Sequence, residues 1–270
     1  MKSVEIALDS WNERTQIVFL GDLHLGNKNV NENLVQQTVK RLEAPNTFFI
    51  DLGDAVDCIT VRDPRFDPLS LPSWIKLEDL ADIPKAQIER YKYYFSKVGH
   101  KCLARLYGNH EATLQKHSER EIYSDLNKSI GLPPERALNY SGFVRLRFRK
   151  RGRRNRIENT WTQTIYISHG SGGGKLAGSK VTNLERLPMA FEADIYAVGH
   201  THTKLVLQKR LIGLSPKSNE IIDKQLIMLN VGSFMDGKEG YPERAGLYPQ
   251  ALGPIELHFF PRSREIRIIQ

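Results

Sequence analysis

Five short apolar segments recur along the chain, and each is followed directly by a glycine or a histidine. Each segment is rich in Val, Ile, Leu, Phe or Tyr and has the length of a buried strand. Such strands end at a sheet edge, where functional side chains commonly lie. We therefore predict buried strands over Gln16 to Leu20, Thr47 to Leu52, Leu103 to Tyr107, Thr164 to Ser168 and Ile195 to Val198.

Helical spacing of apolar residues separates the first strands. Leu34, Val39 and Leu42 recur at this spacing after Asn31 and Asn33, either of which can cap a helix. Alternation of strands and helices is typical of the α/β class, and strands dominate near the C-terminus, which adds an antiparallel portion. Further helices are predicted over Lys85 to Val98 and Ser118 to Ile130, and further strands over Leu226 to Val231, Ile255 to Phe260 and Glu265 to Ile269.

Two segments rich in proline and glycine interrupt this pattern. Residues 62–84 contain four prolines, and residues 232–253 contain two prolines together with five glycines. Neither segment can be regular structure throughout. We interpret both as ordered surface loops in preference to substrate lids.

Composition limits the architecture and the compartment. A length of 270 residues with 40% hydrophobic residues allows one substantial core, and we expect a single domain over residues 1–270. With only Cys58 and Cys102 the chain has no disulfide framework, so a reducing compartment is the default and a cytoplasmic location is expected. No apolar run approaches the roughly 18 residues of a membrane helix, so we expect a soluble protein without a membrane partner.

The positive charge is concentrated in one segment. The chain has 39 Lys and Arg residues against 31 Asp and Glu residues, a formal net charge of +8. Eight basic residues and no acidic one lie between positions 145 and 156, which leaves equal numbers of basic and acidic residues elsewhere. Concentrated charge of this kind produces a strong local field. The eight residues are Arg145, Arg147, Arg149, Lys150, Arg151, Arg153, Arg154 and Arg156.

The residues that follow the five strands form a set of metal donors. Asp22 and His24 are two apart in extended geometry, so their side chains converge. Carboxylate, amide and imidazole donors without thiolate suit Mn, Fe, Zn or Ni with open coordination positions, which favours a catalytic site over a structural zinc site. The motifs are Asp22-Leu23-His24, Gly53-Asp54-Ala55-Val56-Asp57, Gly108-Asn109-His110-Glu111, His169-Gly170 and Gly199-His200-Thr201-His202.

In order and spacing, these motifs resemble the five-motif signature of the calcineurin-like metallophosphoesterases. The resemblance implies a two-sheet α/β/β/α sandwich. To this the residue pattern adds a basic β-hairpin insertion over residues 143–168, with Gly152 at the bend. The resemblance also implies two divalent ions, of which manganese is expected first and iron, zinc or nickel are alternatives. Of the ligands, Asp54 would bridge both ions, Asp22, His24 and His202 would hold the first, and Asn109, His169 and His200 would hold the second.

The resemblance also implies a reaction. A phosphoric ester would be hydrolysed by attack of a metal-bridging hydroxide, since paired cations lower the pKa of bound water. His110 would be the catalytic residue that donates a proton to the leaving oxygen. Glu111 could raise the basicity of His110 or fix its tautomer, and Asp57 could orient a ligand or cap the following segment.

The basic segment is the sequence feature that indicates a substrate. Strict alternation over residues 143–149 places Arg145, Arg147 and Arg149 on one strand face, and the return strand leads into His169, so the charge is expected beside the active site. An all-positive face favours a polyanion, so we predict that the eight basic residues bind nucleic acid and that the enzyme is a phosphodiesterase, specifically a nuclease.

Two other functions stay open. The first is a phosphomonoesterase, either protein phosphatase-like or a small-nucleotide hydrolase, with the basic hairpin binding a partner. In the phosphoprotein-phosphatase branch of the family an arginine follows the second motif, whereas Cys58 stands at that position here, which counts against a protein phosphatase. The second is a catalytically inactive binding scaffold, against which the full ligand set argues.

Overall fold

The computed structural model describes residues 1–118, 120–172, 174, 176–215, 218–236 and 250–270. Its strands are β1 (Lys2–Leu8), β2 (Thr15–Leu20), β3 (Thr47–Asp51), β4 (Cys102–Arg105), β5 (Ser141–Arg151), β6 (Ile157–Ser168), β7 (Ile195–Val198), β8 (Leu205–Leu214), β9 (Ile221–Asn230), β10 (Ile255–Phe260) and β11 (Glu265–Ile269). Its α-helices are α1 (Glu32–Leu42), α2 (Ile83–Phe95), α3 (Asn109–Ser118), α4 (Ile122–Ser129) and α5 (Ala177–Ala190).

The strands form two mixed sheets. One sheet has the order β11-β10-β2-β3-β4, in which β2, β3 and β4 are parallel. The other has the order β1-β5-β6-β7-β9-β8, in which β6, β7 and β9 are parallel and β5 is antiparallel to β6. The predicted α/β class with an antiparallel portion is therefore confirmed.

The apolar residues divide into three clusters, which define the layers. The central cluster joins the inner faces of both sheets, for example Phe19 and Ile50 of one sheet with Leu146 and Ile167 of the other. A second cluster packs α1, α2 and α4 on the outer face of the five-stranded sheet. A third packs Leu184 of α5 on the outer face of the six-stranded sheet. This arrangement agrees with the expected α/β/β/α sandwich.

The helices begin where local caps allow. Asn31 caps α1 by accepting a hydrogen bond from the backbone N–H of Leu34 at 3.0 Å, as predicted. Helix α2 begins at Ile83, ahead of the predicted start, because Asp82 caps it and proline is tolerated in a first helical turn. The helix predicted over 118–130 is wrong in extent, since α4 covers Ile122–Ser129 and α3 ends before it.

Two strands were not predicted. Strand β1 pairs in parallel with β5, from Lys2 opposite Gly142 to Leu8 opposite Phe148. Strand β8 forms an antiparallel pair with β9 and is the last strand of its sheet. Both are edge strands with many exposed positions, so neither has the continuous apolar character of the central strands.

The proline-rich segment 62–84 is ordered, as predicted. It contains 3-10 turns over Pro68–Ser70 and Leu77–Ala81. Trp74 anchors it by donating a hydrogen bond from Nε1 to Glu32 Oε1 of α1 at 2.6 Å.

The interpretation of 232–253 as a loop falls largely on residues 237–249, which lie outside the described residues. Within the described part of the chain, no helix has the length and apolar character needed to cross a membrane.

Candidate metal centre

The strand ends of both sheets meet at one place. Asp22 follows β2, Asp54 follows β3 and Asn109 lies after β4, while His169 and His200 follow β6 and β7 of the other sheet. Backbone hydrogen bonds tie the first two turns together, from Asp22 N to Gly53 O and from His24 N to Asp54 O, both at 3.0 Å. Parallel strands present their carboxyl ends at a common edge, which explains why distant motifs converge.

The convergent side chains form overlapping groups whose ligand atoms lie within 4.8 Å of one another. Asn109 joins the second group, because its Oδ1 lies 2.8 Å from His169 Nε2 and 2.7 Å from His200 Nδ1. The structure thus brings together all seven ligands expected from the sequence, with His110 beside them. The groups are Asp22, His24 and His202; Asp54, His169 and His200; and His24, Asp57 and His110.

The spacing of the donor atoms suits cations. His24 Nε2 lies 3.1 Å from His202 Nε2, and Asp54 Oδ2 lies 3.3 Å from His169 Nε2 and 4.0 Å from His24 Nε2. Ligands at about 2.0–2.2 Å from one metal ion, in adjacent coordination positions, are separated by about 3 Å. Asp54 Oδ2 therefore lies between the two groups of donors.

The burial and hydrogen bonding of Asp22 also fit a cation site. Its Oδ2 accepts a hydrogen bond from the backbone N–H of His200 at 2.8 Å, whereas its buried Oδ1 has no hydrogen-bond partner among the described residues. Burial raises the pKa of Asp22 to about 8; the charge of His169 opposes this rise and that of Asp54 adds to it. A buried carboxylate is stable in its charged form only beside a compensating cation.

Among the histidines, the pKa of His169 reflects the negative charge of the carboxylates, whereas the pKa values of His200 and His202 are lowered. Burial opposes protonation of His169, but the hydrogen bond and charge of Asp54, together with the charge of Asp22, raise its pKa to about 10. Burial and the charge of His24 lower the pKa of His202, and burial and the charge of His169 lower that of His200. Neutral imidazoles offer the lone pairs that metal ions require, and the carboxylates offer the charge.

The backbone of the centre is unusual. Five of the seven expected ligands have positive φ angles, between 49° and 68°, in the left-handed region. Residues other than glycine rarely adopt this conformation, and each instance costs about 1–3 kcal/mol unless the surroundings hold it. Such strain is concentrated at functional sites. The five residues are Asp22, His24, Asp54, His200 and His202.

His110 lies beside the centre, and its partner differs from the one expected. Its Nδ1 lies 2.7 Å from the backbone carbonyl of Asp57 and 3.6 Å from Asp57 Oδ1, which fixes the tautomer and leaves Nε2 as the second ring nitrogen. The expected role of Glu111 toward His110 is wrong, because both Glu111 oxygens accept backbone N–H groups of Asp54 and Ala55. Asp57 also lies 3.6 Å from His24 Nδ1, as expected for a residue that orients a ligand.

The sequence analysis overlooked a charged group beneath the centre. Arg105, the last residue of β4, is fully buried and contacts Asp51, Glu111 and Asn127. The available signal was a single cation inside the apolar run Leu103 to Tyr107, since a buried arginine requires carboxylate partners.

The basic tip of the β5–β6 hairpin is remote from this centre. Strand β6 has 12 residues and ends before His169, so the turn that precedes it lies about 40 Å away at about 3.3 Å per residue. The expectation that the whole basic segment lies beside the active site is therefore wrong. Arg145, which pairs with Thr164, is the basic residue of this segment nearest to His169 along the strands.

Among the comparisons with known proteins, the match to a family model bears on this site. The family model of the calcineurin-like phosphoesterases matches residues 15–204, well over half of the chain. A search of curated protein sequences returned no match. The matched range contains all seven expected ligands and His110.

Solved structures that resemble the chain have low identity to it. A predicted phosphoesterase from Streptococcus pneumoniae TIGR4 has 13% identity and a TM-score of 0.35, covering 91% of this chain and 83% of that one. The NAD nucleotidase NadN of Haemophilus influenzae has 11% identity and a TM-score of 0.38, covering 95% and 49%. GAP50, the anchor in the inner membrane complex of Plasmodium, has 12% identity and a TM-score of 0.42, covering 91% and 81%.

The family assignment therefore rests on the match to the family model, and the buried His and Asp clusters supply the metal-site candidates that such an enzyme requires. The chain belongs to the calcineurin-like phosphoesterase family and is a metal-dependent hydrolase of phosphate esters.

Proposed function

We propose that the seven converging side chains hold two divalent ions and that the chain hydrolyses phosphodiester bonds of nucleic acid. Asp22, His24 and His202 would hold one ion, and Asn109, His169 and His200 the other. The observation that supports this division is the position of Asp54 Oδ2, 3.3 Å from His169 Nε2 and 4.0 Å from His24 Nε2. Asp54 Oδ1 accepts the backbone N–H of His110 at 2.9 Å, so Oδ2 is the oxygen that faces both groups.

The bound ions would lower the pKa of a water molecule and offset charge on the phosphate. The chain itself supplies the proton for the leaving group. Burial lowers the pKa of His110, but the charges of Asp54 and Asp57 and the hydrogen bond to the Asp57 carbonyl raise it overall. The Asp57 carbonyl accepts the hydrogen on Nδ1, so the proton on Nε2 is the one available to the leaving oxygen.

Replacing His110 with Ala should separate metal binding from turnover. We expect both ions to be retained while kcat falls by about 10²–10⁴-fold, because only the proton donor is lost. Metal content by mass spectrometry and hydrolysis of a dinucleoside monophosphate, whose alkoxide leaving group requires a proton, measure the two effects. His100→Ala, at an exposed histidine outside the motifs, is the matched control. Wild-type turnover in the His110 variant would refute the assignment.

The basic face of β5 is the observation that favours nucleic acid. Val144, Leu146 and Phe148 are fully buried, and the arginines between them point outward from an ordered strand. Glu5 lies within ion-pair distance of Arg145 and Arg147. Because exposed ion pairs are worth only about 0–1 kcal/mol, phosphate groups can compete for these guanidinium groups.

The count of charges on this face leaves an excess of cations. Asp9 pairs with Arg149 and Arg151, so that four arginines share two carboxylates, those of Asp9 and Glu5. A further ion pair joins Lys150 to Glu158 at 2.9 Å. Phosphodiester backbones bind to such a surface in a salt-dependent manner.

The same ion pairs favour a second candidate, hydrolysis of a small phosphomonoester or nucleotide. In that case Arg145, Arg147 and Arg149 serve mainly to join β5 to β1 through Glu5 and Asp9. The remote position of the hairpin tip also agrees with this candidate, since a small substrate would contact only the metal centre.

Neutralising the arginine face distinguishes the two candidates. For a nuclease, the triple variant Arg145→Gln/Arg147→Gln/Arg149→Gln should bind long DNA or RNA at least about 10-fold more weakly. The slope of log binding constant against log salt concentration should be smaller in magnitude by about 2–3. Hydrolysis of an aryl diester should persist. The matched control is Lys40→Gln/Lys92→Gln/Lys97→Gln, an equal loss of charge at exposed lysines of α1, of α2 and of the turn after α2, on the other outer face. Unchanged cleavage of long nucleic acid in the triple variant would favour the small substrate.

A further inference from the structure

Arg105 is the only buried arginine or lysine among the described residues, and it lies directly beneath the candidate metal centre. Its Nε donates to Asp51 Oδ2 at 3.0 Å, its Nη1 to Asn127 Oδ1 at 2.9 Å and its Nη2 to Glu111 Oε1 at 3.3 Å. The guanidinium carbon lies 5.1 Å from the ring centroids of Tyr91 and Tyr123. The fork of Arg105 is therefore held on every side in one geometry.

The two carboxylates held by Arg105 reach the turn that carries Asp54. Asp51 Oδ1 accepts the backbone N–H of Gly53 at 3.0 Å. Glu111 Oε2 accepts the N–H of Asp54 at 3.2 Å, and its Oε1 accepts the N–H of Ala55 at 3.0 Å. Three consecutive amides of this turn thus depend on two side chains that share a single cation.

The turn needs this support because Asp54 has a φ of 52°. A left-handed aspartate persists only where its surroundings hold it. Glu111 is also buried close to the carboxylate of Asp54, since a Cβ built at Gly108 would touch both Asp54 Oδ1 and Glu111 Oε2, so their charges repel each other. Without the Arg105 guanidinium between them, two buried carboxylates would lie unpaired, and Glu111 would turn away from the amide hydrogens of Asp54 and Ala55.

We propose that Arg105 is a positioning residue that, through Asp51 and Glu111, fixes the backbone of Asp54 and thereby the oxygen shared by the two metal ions. The proposal rests on the proposed metal site. Replacing Arg105 should therefore lower the affinity for metal ions more than it lowers the free energy of unfolding, since a shift of about 1 Å in a bridging oxygen disturbs both groups of ligands.

The test compares metal affinity with thermal stability. Arg105→Lys keeps the charge but loses the fork, and we expect it to bind Mn²⁺ about 10–100-fold more weakly by isothermal titration calorimetry at a temperature where circular dichroism shows a folded chain. Leu42→Ala, at a fully buried position of α1, is the control: it should lower Tm and leave Mn²⁺ affinity unchanged.

Glu111→Gln keeps the volume of the side chain and tests the same link if Arg105→Lys does not fold. We expect a similar loss of Mn²⁺ affinity, and a double variant that loses less than the sum of the single losses. Wild-type affinity in folded Arg105→Lys or in Glu111→Gln would overturn the proposal while leaving the metal site intact. Absence of Mn²⁺ binding by the wild-type chain would instead refute the proposed function together with this inference.

Discussion

Replacing Asp54 with Asn is expected to abolish turnover and to leave the chain unable to hold two metal ions. Burial raises the pKa of Asp54, but the hydrogen bond from His169 and the charges of His110, His169 and His24 lower it well below its ordinary value, so this carboxylate is charged. An asparagine keeps one oxygen but supplies no negative charge between two cations. Because loss of a single electrostatic contact commonly costs about 10²–10³-fold, we expect a loss of at least about 10³-fold in kcat/KM.

The measurement for Asp54→Asn is the metal content after dialysis against Mn²⁺, together with aryl diester hydrolysis. Wild-type protein should also gain thermal stability from Mn²⁺, and this gain should shrink in the variant, since a ligand stabilises the folded chain in proportion to its affinity. Asp125→Asn, at a half-exposed carboxylate of α4, controls for loss of one charge. Two retained ions with undiminished turnover would show that Asp54 is not the shared ligand.

The strands that carry the centre could be predicted because they are buried on both faces. Phe19, Ile50 and Ile167 lie between the sheets, whereas Leu20 and Phe49 face the helices, so the sequence shows continuous apolar runs. The polar residues after each run stand out against this background. Convergence then follows from the parallel arrangement of the strands, without any knowledge of the loops.

The backbone of the centre could not be predicted in the same way. Asp54 and His200 adopt left-handed conformations with φ of 52° and 68°, although nothing in their residue type requires it. This conformation depends on acceptors distant in sequence, such as Asp22 Oδ2 for the N–H of His200 and Glu111 Oε2 for the N–H of Asp54. Local sequence cannot specify contacts made by residues 57 or 178 positions away.

The net positive charge of the β5 face that carries Arg145, Arg147 and Arg149 was overestimated, because its acidic partners are also distant in sequence. Strand β1 alternates exposed and buried positions over Lys2–Leu8 and has no long apolar run. Its partner β5 lies about 140 positions along the chain, so Glu5 beside Arg147 was not visible as a pair. A cluster with no acidic residue in sequence therefore has acidic neighbours in space.

Replacing Gly108 with Ala is expected to disrupt the centre as strongly as loss of a ligand. A Cβ at Gly108 would overlap the backbone nitrogen and Oδ1 of Asp54 and also Glu111 Oε2. Gly53 is also constrained, since a Cβ there would lie 2.9 Å from the Gly108 backbone and its φ is 98°. The turns that contain Gly53 and Gly108 are in backbone contact. Backbone atoms cannot move aside for an added methyl group as the end of a flexible side chain can.

We expect Gly108→Ala to lower the free energy of unfolding by about 1–3 kcal/mol, as overpacking of a tight interior does, and to lower kcat/KM by at least about 10²-fold. Chemical denaturation and diester hydrolysis measure the two losses. Gly178→Ala is the matched control, because a Cβ at this position of α5 meets nothing within 4 Å and alanine favours a helix. If Gly108→Ala behaved like this control, the close approach of the two turns, and with it the rigid placement of Asp54, would be disproved.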